Sequence, residues 1–477
     1  MAEDANLNFE PELFFDVHAA AQPGAHAPAG FTSPEYDEEI VSDQISYFEC
    51  GEKMSFEDME SLQLGRLREL LSYAGEHVPY WRSLFRELAF EPLEIKSIAD
   101  LTKLPVLTKQ MIKDNYKDFI SENVDPRTLT YMTSGGSTGA PLKILMNREC
   151  RSRTHASTRY YLSKAGIVPG RQRSVRLHGN LVPRLVTDKG EYWVTEGNRL
   201  TMSVYDISPQ TCHAYMEAIR KFKPAYIHAY PSALALLATY AERAKEYFPK
   251  SIKAVFCDSE TTYRWQRELI MRTVCANIFN TYGHTEGAGM AITFPGSAQL
   301  EALPQVGVME ILSSSGELLS KPGDRGEIVV TGFNNKVMPF IRYQTNDIAV
   351  LGDTNPSRLR PYYPTLAYIE GRIQDYLVAL DGSLVPAAPV LFDYNFDYSD
   401  INQFQVVQVR PGYIEFKIVP DKSQSISTEA LSKRVIDGFS TLLGPKFTVS
   451  VSIHQSLGCG GRGKFRYVDQ AIKIMSN

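Results

Sequence analysis

Apolar positions along this chain change rhythm several times, and each rhythm predicts a different element. Leu64, Leu67, Leu70, Leu71 and Ala74 recur at intervals of three and four, the spacing of one helix face. Between residues 130 and 300 short β-branched and aromatic runs alternate with helical stripes. Ala225-Tyr226-Ile227, Lys253-Ala254-Val255-Phe256 and Ile278-Phe279 read as strands. Leu234, Leu236 and Leu237 stripe a helix that Ser232 can cap, and another helix runs from Trp265 to Val274. This is α/β order, with loops at the carboxyl ends of strands where ligands bind. From 305 to 352 strand signals dominate: Gly326–Val330, Ile341-Arg342-Tyr343 and Ile348–Leu351.

A boundary is expected after Gly371-Arg372, followed by a smaller α+β pattern. Ile414–Val419 alternates as a strand. Leu431, Val435, Phe439 and Leu442 stripe a helix stopped by Gly444-Pro445, and Phe447–Ile453 reads as a last strand. Residues 1–45 are rich in Ala, Pro, Gly and acidic side chains and read as an extended or mobile arm. The expected organisation is thus an arm over 1–45, a large domain over 46–371 and a small C-terminal domain over 372–477. No internal repeat is evident.

Composition changes this picture little. A chain of 477 residues exceeds one core, so two or more domains are expected. Hydrophobic content of 43% and charged content of 22% are ordinary for a globular protein. A net charge of −5, with both signs interspersed, gives no general pull toward nucleic acid or anionic membrane. No apolar run approaches a bilayer span, and the acidic start lacks the form of a secretory signal. Six cysteines without CxxC or Cys/His ligand spacing argue against a disulfide scaffold or zinc site and for a cytoplasmic setting.

Three distant segments carry the candidate chemistry. Thr133-Ser134-Gly135-Gly136-Ser137-Thr138-Gly139 is a Gly/Ser/Thr turn whose backbone N–H groups can approach phosphate oxygens while hydroxyls add donors. It is not a Walker loop, because no Lys-Ser/Thr follows at the right spacing. Tyr282-Gly283-His284-Thr285-Glu286 follows a strand. There an aromatic ring can stack on a purine, Thr285 can bond a phosphate, and Glu286 offers a hard oxygen to Mg²⁺. Lys464 sits in the glycine-rich loop Gly458–Gly463, a point charge suited to a carboxylate and an α-phosphate at once. Asp347 could accept from both ribose hydroxyls, and Arg372 could reach ribose or phosphate. Taken singly, each segment also reads blandly: a flexible hairpin, a polar turn, a solvated loop lysine, surface charges beside a strand.

As an ordered set these segments resemble the adenylate-forming superfamily of acyl-CoA synthetases, adenylation domains and luciferases. Within it the chain looks most like phenylacetate–CoA ligases and the related capsule-biosynthesis adenylating enzymes. His77-Val78-Pro79-Tyr80-Trp81-Arg82, Leu104–Lys109, Ala229-Tyr230-Pro231-Ser232, Pro339–Tyr343 and Gly463–Val468 carry the narrower likeness, which spans residues 55 to 475. The resemblance implies an α/β fold: a large N-terminal domain of α/β subdomains with a β-rich subdomain, and a small mobile α+β lid. It implies that Thr133, Ser134, Gly135, Ser137, Thr138 and Gly139 hold ATP phosphates, that Ser259 and Glu260 rim the adenine, and that Tyr282 lies on its face. It further implies Thr285 on phosphate, Glu286 on Mg²⁺, Asp347 and Arg372 on ribose, and Lys464 as the catalytic residue. His178, His228 and Tyr230 line the acyl pocket by position, although core histidines would look the same. The implied reaction joins a small-molecule carboxylic acid to ATP and passes the acyl group to coenzyme A. An acceptor amine is the alternative, and a non-catalytic nucleotide-binding protein is a distant one. Neither nucleic acid nor membrane is implied as a partner, and the arm could close a homodimer. Two departures stand out. Asn346 replaces the family's Gly before the ribose-binding Asp, and Asn tolerates the same positive φ. Gln374 occupies the hinge position where Asp or Lys is common.

Overall fold

The computed structural model describes residues 36–133, 142–178, 182, 191–204, 206–353, 365–372, 376–382, 384–387, 391, 396, 400–421, 426–458, 467–470 and 472. Helices α1 (Glu38–Gly51), α2 (Phe56–His77), α3 (Pro79–Glu87) and α4 (Lys109–Asp114) precede a hairpin of β1 (Thr130–Thr133) and β2 (Lys143–Met146). Then follow α5 (Arg148–Ser163), β3 (Ser174–Leu177), β4 (Trp193–Glu196), β5 (Arg199–Met202), α6 (Cys212–Phe222), β6 (Tyr226–Ala229), α7 (Pro231–Arg243), β7 (Ala254–Cys257), α8 (Arg264–Thr273) and β8 (Ile278–Gly283). Next come β9 (Met290–Thr293), β10 (Leu300–Ala302), β11 (Gly307–Leu312), β12 (Arg325–Gly332), β13 (Tyr343–Leu351) and β14 (Thr365–Arg372). The C-terminal part holds β15 (Tyr376–Val378), β16 (Leu384–Pro386), β17 (Ile401–Arg410), β18 (Tyr413–Pro420), α9 (Thr428–Leu443), β19 (Thr448–Ile453) and β20 (Val468–Gln470).

Among the described residues one sheet runs in the order β11-β12-β13-β14-β10-β9-β8-β7-β6-β3-β5-β4. Strands β5, β3, β6, β7 and β8 are parallel neighbours, and from β8 to β11 the pairing is antiparallel. The parallel strands sort their side chains by alternation. Val175, Leu177, Ile227, Ala229, Val255 and Cys257 pack with the helices α6 to α8 on one face. Tyr226, Phe256 and Phe279 pack with Tyr160 and Tyr161 of α5 on the other. The register pairs Arg176 with His228 and His228 with Phe256, so all three share the α5 face. The C-terminal strands β19-β18-β17-β20 and helix α9 have their own apolar cluster around Phe416, Leu431, Val435 and Phe439. The mixed α/β class read from the sequence is therefore the observed one.

Four local expectations change. Helix α1 begins inside the expected arm: Asp37 caps it, Val41 and Phe48 are buried, and Arg159 of α5 grips Glu38 at 2.6 and 2.8 Å. Residues 1–35 lie outside the described residues. Ser232 does not cap α7. Tyr230 is its N-cap, and the Ser232 N–H donates to Glu260 Oε2 at 3.1 Å. Phe447–Ile453 gives β19, but β20 follows it and pairs parallel with β17. Ile341 and Arg342 are not strand, because Arg342 has φ +50 and β13 starts only at Tyr343.

That left-handed residue is fixed by charge. Arg342 is 4% exposed, and its guanidinium donates to both oxygens of Glu310 at 3.1 and 3.0 Å and to the Leu104 carbonyl at 2.5 Å. Burial pushes the Glu310 carboxyl up, opposed by the Arg342 charge beside it. Removing one member leaves the other as an unpaired buried charge. Arg342→Met should therefore lower unfolding free energy by roughly 3–5 kcal/mol in urea titrations, with Arg342→Met/Glu310→Met recovering most of it. Equal loss in the single and double variants would show that the pair itself is not what holds this turn.

Candidate active site

The end of β8 meets the middle of β13. Tyr282, in the last turn of β8, donates its hydroxyl to Asp347 Oδ2 at 2.9 Å. Burial holds the Tyr282 phenol well above its usual range, so it remains a donor. Asn346 has φ +61, the left-handed geometry that its side chain tolerates in place of glycine. Its neighbour Asp347 lies directly opposite Arg372 in the β13–β14 register. The structure thus gathers three of the sequence-selected residues, Tyr282, Asp347 and Arg372, from three strands.

Glu286 sits beside them and is 6% exposed. Tyr343 donates its hydroxyl to Oε1 at 2.8 Å, and His284 Nδ1 lies 3.2 Å from Oε2. Burial opposes ionisation, but these contacts outweigh it and bring the carboxyl down to about 2. The result is a fixed, anionic oxygen pair with lone pairs to spare, the donor chemistry that Mg²⁺ takes. Tyr343 as the partner of Glu286 was not foreseen. Its only sequence signal was membership of the Pro339–Tyr343 motif.

A second polar group lies at the carboxyl ends of β3, β6 and β7. His178 Nε2 is 2.9 Å from Asp258 Oδ1, and His228 Nε2 is 2.7 Å from Asp258 Oδ2. The two imidazoles meet edge to face at 4.6 Å, and His178 meets the Tyr230 ring at 4.7 Å. Burial first, and hydrogen bonding to Asp258 against it, leave His178 at about 4 and hence neutral at physiological pH. Burial also opposes charge on Asp258, yet hydrogen bonds from both histidines hold it well below the usual carboxylate range. Both histidines are therefore satisfied at Nε2, and the three expected pocket residues His178, His228 and Tyr230 are neighbours. Just beyond, Ser259 has φ +65 and Glu260 is engaged at the start of α7.

Thr133 ends β1 opposite Lys143, and so marks the root of the glycine-rich loop. Ser134, Gly135, Ser137, Thr138 and Gly139 lie outside the described residues, as do Lys464 and Gln374. Thr285 is half-buried between His284 and Glu286. Tyr467, three residues after Lys464, packs edge-on against Tyr263 and Trp265 at 5.9 and 6.3 Å. This ties the segment after the loop to the residues that follow Glu260.

The Glu286 carboxyl gives a pH prediction. A carboxyl held low in the folded state adds stability at neutral pH, and that stability is lost as pH falls from its ordinary 4.5 toward 2. The whole increment is on the order of 3 kcal/mol. Tyr343→Phe removes a donor to the anion and raises the folded value. Urea unfolding at neutral and acidic pH should then show a smaller acid-induced loss in the variant than in the parent. An unchanged pH slope would place the stabilisation of Glu286 elsewhere.

Comparison with known proteins agrees with this geometry. The AMP-binding enzyme family matches residues 191–339. Protein CapK of Staphylococcus aureus is 24% identical over 353 residues, covering 74% of this chain and 76% of that protein. Phenylacetate-coenzyme A ligase of Aromatoleum evansii is 26% identical over 353 residues, covering 70% and 75%. A crystal structure of 2-hydroxyisobutyryl-CoA ligase in the postadenylation state, in complex with R3-HIB-AMP, superposes with a TM-score of 0.67 at 17% identity, covering 94% of each chain. No helix among the described residues is long and apolar enough to cross a membrane. The ordered motifs and these likenesses agree: the chain carries a match to the AMP-binding enzyme family and is similar to adenylate-forming ligases.

Proposed function

We propose that this enzyme activates a small-molecule carboxylic acid with ATP and transfers the acyl group to the thiol of coenzyme A. The observation that carries the reading is the junction of β8 and β13. There Tyr282 is hydrogen-bonded to Asp347, the left-handed Asn346 precedes Asp347 within β13, and Tyr343 of the same strand donates to an ionised Glu286. In the first half-reaction a carboxylate oxygen attacks the α-phosphorus. The bond from that phosphorus to the β-phosphate oxygen breaks, and pyrophosphate leaves. Asp347 and Arg372 hold the ribose, Tyr282 faces the adenine, and Ser259 and Glu260 form its rim. Loop residues Thr133 to Gly139 and Thr285 donate to phosphate oxygens. Glu286 would hold Mg²⁺, which supplies charge neutralisation on the phosphates. Lys464 stabilises the charge that develops between carboxylate and α-phosphate.

In the second half-reaction the thiol attacks the acyl carbonyl, AMP leaves with the electron pair of the broken C–O bond, and the thiol proton passes to solvent. The domain organisation supports a lid. Residues 372–477 carry their own apolar cluster, and in described side chains they meet the larger part through Tyr467 and through Arg243, which pairs with Asp421 at 2.7 Å. A small contact of this kind, part aromatic and part ionic, permits relative motion. The acceptor rests on the name of the phenylacetate-coenzyme A ligases, and an amine acceptor is the competing outcome.

Lys464→Ala should cut pyrophosphate release by about a hundredfold or more while ATP affinity stays close to the parent's, because the lysine acts on the transition state. Unchanged turnover removes this lysine from the mechanism. Incubation of enzyme, ATP and acid with CoA or with amines, read by mass spectrometry, decides the acceptor. Thioester and AMP in equal amounts are expected. Acyl-amide with CoA untouched replaces the thiol by an amine and leaves adenylation standing.

A further inference from the structure

The carboxyl ends of β3, β6 and β7 bring two imidazoles and a carboxylate together. Register does this. His228 pairs with Arg176 on one side and with Phe256 on the other. His178 and Asp258 each stand two residues beyond those partners, on the same face. His178 Nε2 lies 2.9 Å from Asp258 Oδ1, and His228 Nε2 lies 2.7 Å from Oδ2. One ligand atom from each residue lies within 4.8 Å of the other two. Among the described residues no other three His, Cys, Asp or Glu side chains are gathered in this way.

Two histidines with one carboxylate are a ligand set that holds catalytic zinc and non-haem iron. Ligands about 2.0–2.1 Å from a tetrahedral ion lie roughly 3.3 Å from one another. Opening the two N···O contacts by roughly half an ångström therefore makes room for an ion between them. The protons permit it. Without a metal, each Nε2 carries the hydrogen that the carboxylate accepts. A metal takes the Nε2 lone pair, so that hydrogen moves to Nδ1. Nothing among the described residues donates to His178 Nδ1, which leaves it able to carry the hydrogen. His178 is held neutral by burial, and Asp258 stays ionised against burial through its two hydrogen bonds. Those are the states a metal ligand requires. The side chains of His228 and Asp258 are 23% and 22% exposed, which gives an ion its way in. Arg176 opposes a cation here, because its charge also interacts with Asp258. The ion is therefore held loosely enough for a chelator to remove.

We propose that His178 Nε2, His228 Nε2 and the Asp258 carboxylate form a site for a divalent transition metal, zinc first, with one coordination position left to water. Three protein ligands and an open position are the arrangement of reactive rather than closed structural zinc. No cysteine takes part, so cysteine spacing carries no trace of the site. The bound ion ties the ends of three strands together and fixes the start of the loop between β7 and α8. It is separate from the Mg²⁺ proposed on Glu286. It needs no nucleotide, so it stands or falls apart from the adenylation reading.

Full-length protein without a polyhistidine tag, stripped by a chelator and dialysed against zinc chloride, is measured by elemental analysis. One zinc per chain is expected. Competition with a chromophoric chelator gives the affinity. His178→Ala, His228→Ala and Asp258→Asn should each weaken it by at least about a hundredfold, the upper end of what losing an outer-shell partner costs. Cobalt in place of zinc should give the visible bands of a low-coordinate ion in the parent and in none of these variants. Glu286→Gln should keep its full zinc, because Glu286 belongs to the other site. Circular dichroism checks the fold of every variant. His228→Ala and Asp258→Asn, at partly exposed side chains, carry the test if the buried His178→Ala does not fold. Wild-type protein that takes up no stoichiometric zinc overturns the site. Zinc kept at the parent's affinity in both His228→Ala and Asp258→Asn overturns it too, as does zinc lost in Glu286→Gln alone.

Discussion

The candidate nucleotide site depends on one buried ion pair. Arg342 is held by Glu310 and the Leu104 carbonyl in a left-handed conformation that few non-glycine residues adopt. The strain persists because the buried guanidinium makes three hydrogen bonds there, two of them to the carboxylate of Glu310. Strand β13 starts at Tyr343, immediately after Arg342; the Tyr343 hydroxyl reaches Glu286 and, four residues on, Asp347 accepts from Tyr282. The same segment also accepts the Leu107 N–H at the Arg342 carbonyl, which brings the Leu104–Lys109 motif against β13. Two motifs far apart in sequence are thus joined by the backbone and charge of one arginine.

Much of the fold was legible because its periodicities are strong. The stripe from Leu64 to Ala74 lies within α2, and the runs at 225, 253 and 278 are β6, β7 and β8. Residue Asn346 was legible for a physical reason, the tolerance of asparagine for positive φ, and it stands at φ +61. Arg342 was not, because nothing local predicts that an arginine will accept φ +50. Only a glutamate on β11 makes it worthwhile, and Glu310 cannot be paired with it by inspection. Helix α1 did carry a signal in Val41, Ile45 and Phe48, at helical spacing. The Ala- and Pro-rich stretch before it dominated the composition of the window. At α7 a plausible Ser232 cap lost to Glu260, whose carboxylate arrives from 28 positions away.

The cluster of His178, His228 and Asp258 shows where sequence reading stops. The three residues are separated by 50 and 30 positions, and no motif unites them. Parallel register does so, because residues at equal height on adjacent strands come within side-chain reach. Sequence position suggested that the histidines line a pocket. It could not say that one carboxylate would hydrogen-bond both Nε2 atoms.

Glu260 links the two halves of the site. Its carboxylate sits at the first turn of α7, where free backbone N–H groups and the helix dipole favour an anion. A carboxylate committed there is poorly placed to act as a proton carrier, but it is well placed to fix the loop between β7 and α8. Asp258 precedes it by two residues, and Tyr263 follows it by three. On one side, therefore, this loop sets the carboxylate that His178 and His228 share. On the other it presents Tyr263 and Trp265 to Tyr467, the residue that re-enters the C-terminal sheet through its carbonyl on Val406 N–H. A displacement of the C-terminal part that broke the Tyr467 ring contacts would pull on the same short loop that holds Asp258. The position of the C-terminal part and the order of the His178, His228 and Asp258 cluster are in this way coupled through the eight consecutive residues from Asp258 to Trp265 rather than through a long path of packed side chains.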